Sequence, residues 1–183
     1  MKKRIAVIGL KGLPAFGGAA VVGENIINHL KEKYDFTVLS IASHTSLKTG
    51  YINGIQQIVF KSCGESGLNT FFYYLKCLFH CLINKYDLVQ LHHAESGFIT
   101  PILRLKYKIV VTFHGVFRSN DPKFSAFQNK FLKFSEKLNI KYANEIISVS
   151  RPDQDYIFRK YGKQNIPTGL SSRCAKAFVV HYA

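Results

Sequence analysis

Apolar runs rich in β-branched residues recur at Arg4–Leu10, Phe36–Ala42, Ile55–Phe60, Asp87–His92, Lys108–His114 and Glu145–Val149, and segments of helical period lie between most of them. That alternation predicts βαβ units, and with them an α/β fold with an open, mostly parallel sheet carrying helices on both faces. Runs such as Ile5-Ala6-Val7-Ile8 and Ile109-Val110-Val111 are apolar at successive positions. Strands covered on both faces read this way, because neither side of the pleat meets water.

Between the strands, the spacing predicts a first helix over about Gly18 to Lys33, with Ala19, Val22, Ile26 and Leu30 on one face. A second lies near Leu68 to Ile83, where Leu68, Phe71, Phe72, Leu75, Leu78, Phe79 and Leu82 keep a 3,4 spacing. A third lies near Lys123 to Tyr142, with Phe124, Phe127, Phe131, Phe134 and Leu138 on one stripe and Lys130, Lys133, Lys137 and Lys141 elsewhere. Two accounts fit this third helix: the Phe stripe packs on the sheet while the lysines are solvated, or the Phe and Lys pattern lies on an anionic bilayer. Shorter helices are expected after His93 and Pro152, and His44–Asn53 reads as a loop or a hairpin. There is no internal repeat and no linker, and 183 residues suit one domain that hides about 70% of its unfolded surface.

The hydrophobic content of 47% argues against disorder, and no apolar run reaches the ~18 residues that a membrane-spanning helix needs. Met1-Lys2-Lys3-Arg4 is followed by a short apolar run that enters glycines rather than a cleavage site, so a cytoplasmic protein is expected. Cys63 and Cys174 stand alone, and Cys77 and Cys81 sit four apart inside an apolar helical pattern, which is not a zinc spacing. Buried free thiols are expected. The net charge of +14 favours something anionic as partner, whether a phosphorylated ligand, an acidic membrane surface or nucleic acid. Nucleic acid is the least favoured, because the lysines lack any recognition signature beyond charge.

Candidate chemistry gathers at strand ends, where open parallel sheets form their ligand crevice. The first strand runs into Gly9-Leu10-Lys11-Gly12-Leu13-Pro14-Ala15-Phe16-Gly17-Gly18, and the helix that follows aims free N–H groups and a positive dipole end at an anion. Gly12 and Gly17 have the spacing of a Walker loop, but Gly18 and Ala19 stand where Lys and Ser/Thr would hold phosphate and magnesium. A dinucleotide fingerprint fails too: GxGxxG is absent, and Ser40-Ile41-Ala42-Ser43 offers no carboxylate to a ribose. The loop therefore either lets a sugar or phosphate approach the backbone or is a plain tight turn.

Three further strand ends carry polar groups. Leu91-His92-His93-Ala94-Glu95 places one histidine towards the core and the other towards the crevice, with Glu95 as a hydroxyl acceptor or a helix-start charge. Adjacent histidines on a strand point to opposite faces, so no metal site from His92, His93, Glu95 and His114 is expected. Thr112-Phe113-His114-Gly115 presents a ring or a backbone carbonyl to a ligand, or holds a structural histidine. Ser148-Val149-Ser150-Arg151 offers a hydroxyl and a cation to the same cleft, unless Ser150 caps a helix ahead of Pro152.

From Lys2 to about Gly169 these motifs, in this order, resemble the N-terminal domain of family 4 (group 1) glycosyltransferases of the GT-B fold. The resemblance rests on Ile5-Ala6-Val7-Ile8-Gly9 with Lys11-Gly12-Leu13-Pro14-Ala15 and Gly17-Gly18, on Leu91–Glu95, on Thr112–Gly115 and on Glu145–Ser150. It implies one of two Rossmann-like domains facing each other across a cleft, this one mainly on the acceptor side. It further implies Gly17 and Gly18 near the donor phosphates or sugar, His114 at the catalytic centre on the transferred sugar, and His93 and Glu95 on the acceptor side. Gly115, Ser150 and Arg151 complete the expected substrate-binding set. No cofactor or metal is expected beyond a nucleoside diphosphate sugar as co-substrate, since helix ends and basic side chains meet the leaving diphosphate. Hexose transfer with retention follows from the resemblance, to a glycan or lipid-linked acceptor, with peripheral placement on the inner face of the cytoplasmic membrane; the alternative is a non-enzymatic basic module that binds anionic membrane lipid or a partner protein.

The sequence departs from the family's pattern in two places. Ile166-Pro167-Thr168-Gly169 resembles the family's junction into the second domain, yet 14 residues follow it. Residues 1–169 are therefore read as the domain and 170–183 as an atypical tail from truncation or frameshift. The half that grips the nucleotide-sugar is expected to lie outside this chain, leaving it inactive alone. Ala19 and Ala20 also stand where many relatives carry an acid, with Glu24 further on.

Overall fold

The structure is a computed structural model that describes residues 1–64, 66–116, 121–163 and 166. In chain order it runs β1 (Lys3–Lys11), α1 (Gly18–Leu30), β2 (Tyr34–Ile41), β3 (Gly50–Ile52), β4 (Ile55–Phe60), α2 (Ser66–Ile83), β5 (Leu88–His92), α3 (Thr100–Leu103), β6 (Lys108–Phe113), α4 (Ala126–Tyr142), β7 (Glu145–Ser148) and α5 (Arg151–Tyr161). Short 3₁₀ turns occupy Ala42–His44 and Ala94–Phe98. All six expected strands form within a residue or two. The His44–Asn53 segment resolves as half of a hairpin: β3 pairs antiparallel with β4 around Asn53-Gly54, both at positive φ, as a two-residue turn of this type requires.

The sheet order is β3-β4-β2-β1-β5-β6-β7, and every pairing except β3 with β4 is parallel. This is a Rossmann-like α/β sheet. Ile5, Ala6, Val7 and Ile8 are all essentially inaccessible, as two-faced burial demands. Ile5, Val7, Val38 and Leu88 pack with Ile26, Ile27 and Leu30 of α1 on one face. Ala6, Ile8, Leu39, Val89 and Val111 pack with α2 and the later helices on the other. From β1 the chain steps outward through β2 to β4, then α2 carries it back to β5 on the other side of β1. The order thus reverses between β1 and β5, and the crevice beyond their carboxyl ends is where this architecture receives ligands.

Two helices turn an unexpected face inward. α4 buries Asn129, Leu132, Ser135, Glu136, Asn139 and Ile140, while Phe127 and Phe134 stay 79% and 56% exposed. The Phe stripe does not pack on the sheet. The reason is that α4 lies against the 94–98 turn, whose backbone polar groups need partners once water is excluded. Asn139 supplies them, donating to the carbonyls of His93 and Ala94 and to Ser96 Oγ, and accepting from Thr100 Oγ1 at 2.6 Å. In α2 the inward stripe is Tyr73, Tyr74, Cys77, Leu78 and Cys81, and Leu68, Phe79 and Leu82 face outward. Cys77 and Cys81 are buried free thiols as expected, with Cys81 pushed by burial up to about 12. Cys63 is half-buried, and Cys174 lies outside the described residues, as does the tail from 167 onward. No helix among the described residues is long and apolar enough to cross a membrane.

Candidate active site

The carboxyl end of β1 breaks its ladder with β2 between Ile8 and Lys11. Gly9 stands there at φ 105°, and a Cβ on it would fall 2.4 Å from the His92 carbonyl oxygen. Only glycine permits both this backbone angle and this approach. The Gly9 N–H, released from the ladder, donates to the Tyr73 hydroxyl at 2.9 Å, and that hydroxyl donates onward to the Leu39 carbonyl at 2.6 Å. The loop is then pinned in sequence. Leu13 N–H donates to Gln57 Oε1 at 2.7 Å, Leu13 O accepts from Thr45 Oγ1 at 2.7 Å, and Ala15 N–H donates to Glu24 Oε2 at 2.8 Å. Glu24 therefore braces the loop.

At the loop's end Gly17, at φ 98°, caps α1 without a side-chain acceptor, and no acid sits in the first turn. A Cβ on Gly17 or on Gly18 would meet nothing within 4 Å. The positive end of α1 is thus open for an anion to approach the backbone closely.

Beside it stand the ends of β5 and β6. The expected division of the two histidines holds: His92 is fully buried and His93 is half-buried at φ 69°. His92 Nδ1 lies 2.9 Å from His114 Nε2, their rings stack at 5.2 Å and 19°, and the His93 ring tilts over His114 at 5.0 Å. The ring of His114 accordingly turns inward, and the residue beyond it towards the crevice is Gly115. Burial first, and then the neighbouring His93, hold His114 down at about 3. His92 lies well below the ordinary histidine value through burial, with His114 and His93 adding to the effect. Burial also lowers His93, while Glu95 opposes and Lys11 reinforces that shift. All three rings are neutral near pH 7.

Glu95 is half-buried in the first turn of Ala94–Phe98 and acts electrostatically on His93 and Tyr74. Ser150 is the N-cap of α5, accepting from Asp153 N–H at 3.2 Å, so its hydroxyl is engaged as a cap; Arg151 is exposed at the first helical position. The structure thus gathers the Gly17-Gly18 helix start, His93, His114 and Gly115 around the strand reversal, and leaves Ser150 and Arg151 at the end of β7, one strand further out. It adds Tyr73 and Gln57, which no motif singled out, and makes His92 the buried member of the histidine pair. Lys11, at φ 67°, was legible only as part of the loop. A separate hollow of about 530 Å³ lies along α5, lined by Pro152, Asp155, Tyr156, Arg159 and Lys160, away from the strand reversal. Among the described residues no three His, Cys, Asp or Glu gather as a metal-ligating cluster.

A family model described as Glycosyltransferase Family 4 matches residues 16–171. The chain belongs to that family. Solved structures similar to this family 4 domain include sucrose-phosphate synthase from Thermosynechococcus elongatus, with a TM-score of 0.64 and 15% identity over 91% of this chain and 47% of that one. Anabaena HepE in complex with UDP and glucose gives 0.57 and 14% over 92% of this chain and 45% of that one. A UDP-glucosyltransferase from Polygonum tinctorium gives 0.60 and 9% over 92% and 51%. At these identities the likeness is one of fold, and the family 4 domain spans about half the length of these proteins. A comparison with curated proteins found no match.

Proposed function

We propose that this family 4 domain is the acceptor-side half of a glycosyltransferase that moves a hexose, with retention, from a nucleoside diphosphate sugar to a glycan or lipid-linked acceptor. The observation that carries this reading is the meeting of the open α1 N-terminus with the His93 and His114 strand ends at the β1/β5 reversal. Gly17 and Gly18 face the donor phosphates or sugar, and the His114 strand end borders the transferred sugar through its backbone and Gly115. His93 and Glu95 line the acceptor side, with Ser150 and Arg151 at the cleft's outer edge. Charge on the leaving diphosphate is met by the helix dipole and basic groups, so the nucleotide-sugar enters as co-substrate without a metal or other cofactor. A second domain is required to grip the nucleotide, and the chain alone binds its donor weakly without turning it over. HepE in complex with UDP and glucose supports the choice of donor class.

A specific observation also favours a basic surface for anionic lipid, which would hold the domain peripherally at the inner face of the cytoplasmic membrane in polysaccharide biosynthesis. Phe127, Lys130, Phe134, Lys137 and Lys141 form one exposed stripe of α4 at helical spacing. Saturation-transfer NMR with UDP-glucose tests the first reading, with Gly18→Asp as its control. Weak binding abolished by Gly18→Asp is expected, and binding indifferent to that variant contradicts the placement of the phosphates. Co-sedimentation with phosphatidylglycerol vesicles at low and high salt tests the second. Sedimentation that ignores lipid charge and salt removes it.

A further inference from the structure

His92 occupies a niche shaped for it from two elements. A Cβ on Gly9 would strike its carbonyl at 2.4 Å, and a Cβ on Gly23 of α1 would come within 2.9 Å of its ring carbon Cε1. The ring is fully buried, yet its Nε2 has no hydrogen-bond partner among the described residues. Packing alone does not account for an imidazole here. An aliphatic side chain would fill the same niche without leaving a buried nitrogen unpaired, which is costly. What the imidazole does possess is a partner for Nδ1, His114 Nε2 at 2.9 Å.

We propose that His92 is a positioning residue of this site: through Nδ1 it engages His114 Nε2 and holds the His114 imidazole in one tautomer and one orientation at the tip of β6, beside the cleft that takes the transferred sugar. The last clause rests on the proposed function; the rest does not. Burial and His93 keep that ring neutral, so His92 adds its tautomer and direction, and the neutrality matters for that chemistry. The anomeric carbon gains positive charge as the leaving diphosphate departs, and an imidazolium beside it would oppose that development. The groups that face His114 are His92 and His93 from β5 and, beyond His93, Lys11 from β1 and Glu95 from the 94–98 turn.

The test is the imidazole nitrogen spectrum of the ¹⁵N-labelled 183-residue chain, titrated from pH 8 to pH 4.5, for wild type, His92→Leu and His92→Asn, with His93→Gln recorded as a control. In wild type neither His92 nor His114 titrates over that range. In His92→Leu the His114 ring is released, and its two nitrogen resonances, which report one tautomer in wild type, move towards the averaged values of a tautomer mixture. Asn places a polar atom near the position of Nδ1, so His92→Asn keeps His114 close to its wild-type behaviour. Unchanged His114 nitrogen resonances in His92→Leu, or equal behaviour of the Leu and Asn variants, overturn the proposal. Unfolding of His92→Leu also overturns it, because the proposal holds that the fold gains nothing from this imidazole. The readout needs no donor, so a failure of sugar transfer and a failure of this positioning role are seen separately.

Discussion

Tyr73 and Tyr74 are neighbours on α2, both fully buried, and they differ in one respect that sets up a paired experiment. The Tyr73 hydroxyl accepts from Gly9 N–H and donates to the Leu39 carbonyl, whereas the Tyr74 hydroxyl has no partner among the described residues. Tyr73→Phe leaves the Gly9 N–H buried and unpaired where the glycine loop departs from β1. An orphaned buried donor costs about 1–3 kcal/mol, and a central value of about 2 kcal/mol lowers Tm by roughly 4–8 °C in a domain of this size. Tyr74→Phe removes a hydroxyl that was already unsatisfied, so its expected effect is near zero or stabilising. Urea unfolding of both variants at neutral pH, fitted with a shared m-value, compares them directly. Equal losses in the two would refute the reasoning, since they would show that ring packing and not the Gly9 contact decides the cost.

Acid should destabilise the chain in a defined window. His114 is charged in the unfolded chain below about 6.5 but stays neutral in the fold down to about 3, so the unfolded state binds more protons between those values. Stability therefore falls as pH drops through that window, by about 2 kcal/mol at pH 5 from His114 alone. His92 acts in the same direction. Urea midpoints measured from pH 7 to pH 5 that stay level would contradict this. Gly18→Asp has room for its side chain and adds a carboxylate at the open start of α1, so it should stabilise by about 0.5 kcal/mol while repelling a diphosphate. Loss of stability with donor binding unchanged would reverse both halves of that expectation. Phe127→Ser with Phe134→Ser should change stability by less than about 0.5 kcal/mol, because both rings face water, while reducing co-sedimentation with anionic vesicles. Vesicle binding unchanged by the pair would remove α4 as the lipid contact.

Much of this architecture is written locally. The β-branched runs from Ile5 to Ile147, the Asn53-Gly54 turn and the Ser150 cap ahead of Pro152 each act over a few residues, and each appears where its local chemistry places it. The faces of α2 and α4 are not local. α2 carries aromatic residues around most of its circumference and α4 along one stripe, and in both the buried side is chosen by distant partners: Leu39 and Gly9 for Tyr73, and the 93–96 backbone for Asn139. Four phenylalanines in register therefore lost to one asparagine with four hydrogen bonds to make. The site shows the same division. Its glycines and strand-end histidines are visible as motifs, but Tyr73 lies 64 residues from Gly9, and His92 lies 22 from His114. No spacing rule spans such separations, so the braces that hold the site were beyond the reach of pattern.

The central claim is that the crevice at the β1/β5 reversal is one wall of a sugar-transfer cleft. Amide-resolved NMR of the ¹⁵N-labelled chain titrated with UDP-glucose tests it most directly. The account predicts shifts concentrated at Gly17 to Ala20, at His93 and at His114 to Gly115, with α5 and the exposed face of α4 unmoved. Shifts confined to the hollow along Pro152 to Lys160, or scattered over the basic surface without a focus at those strand ends, would contradict it.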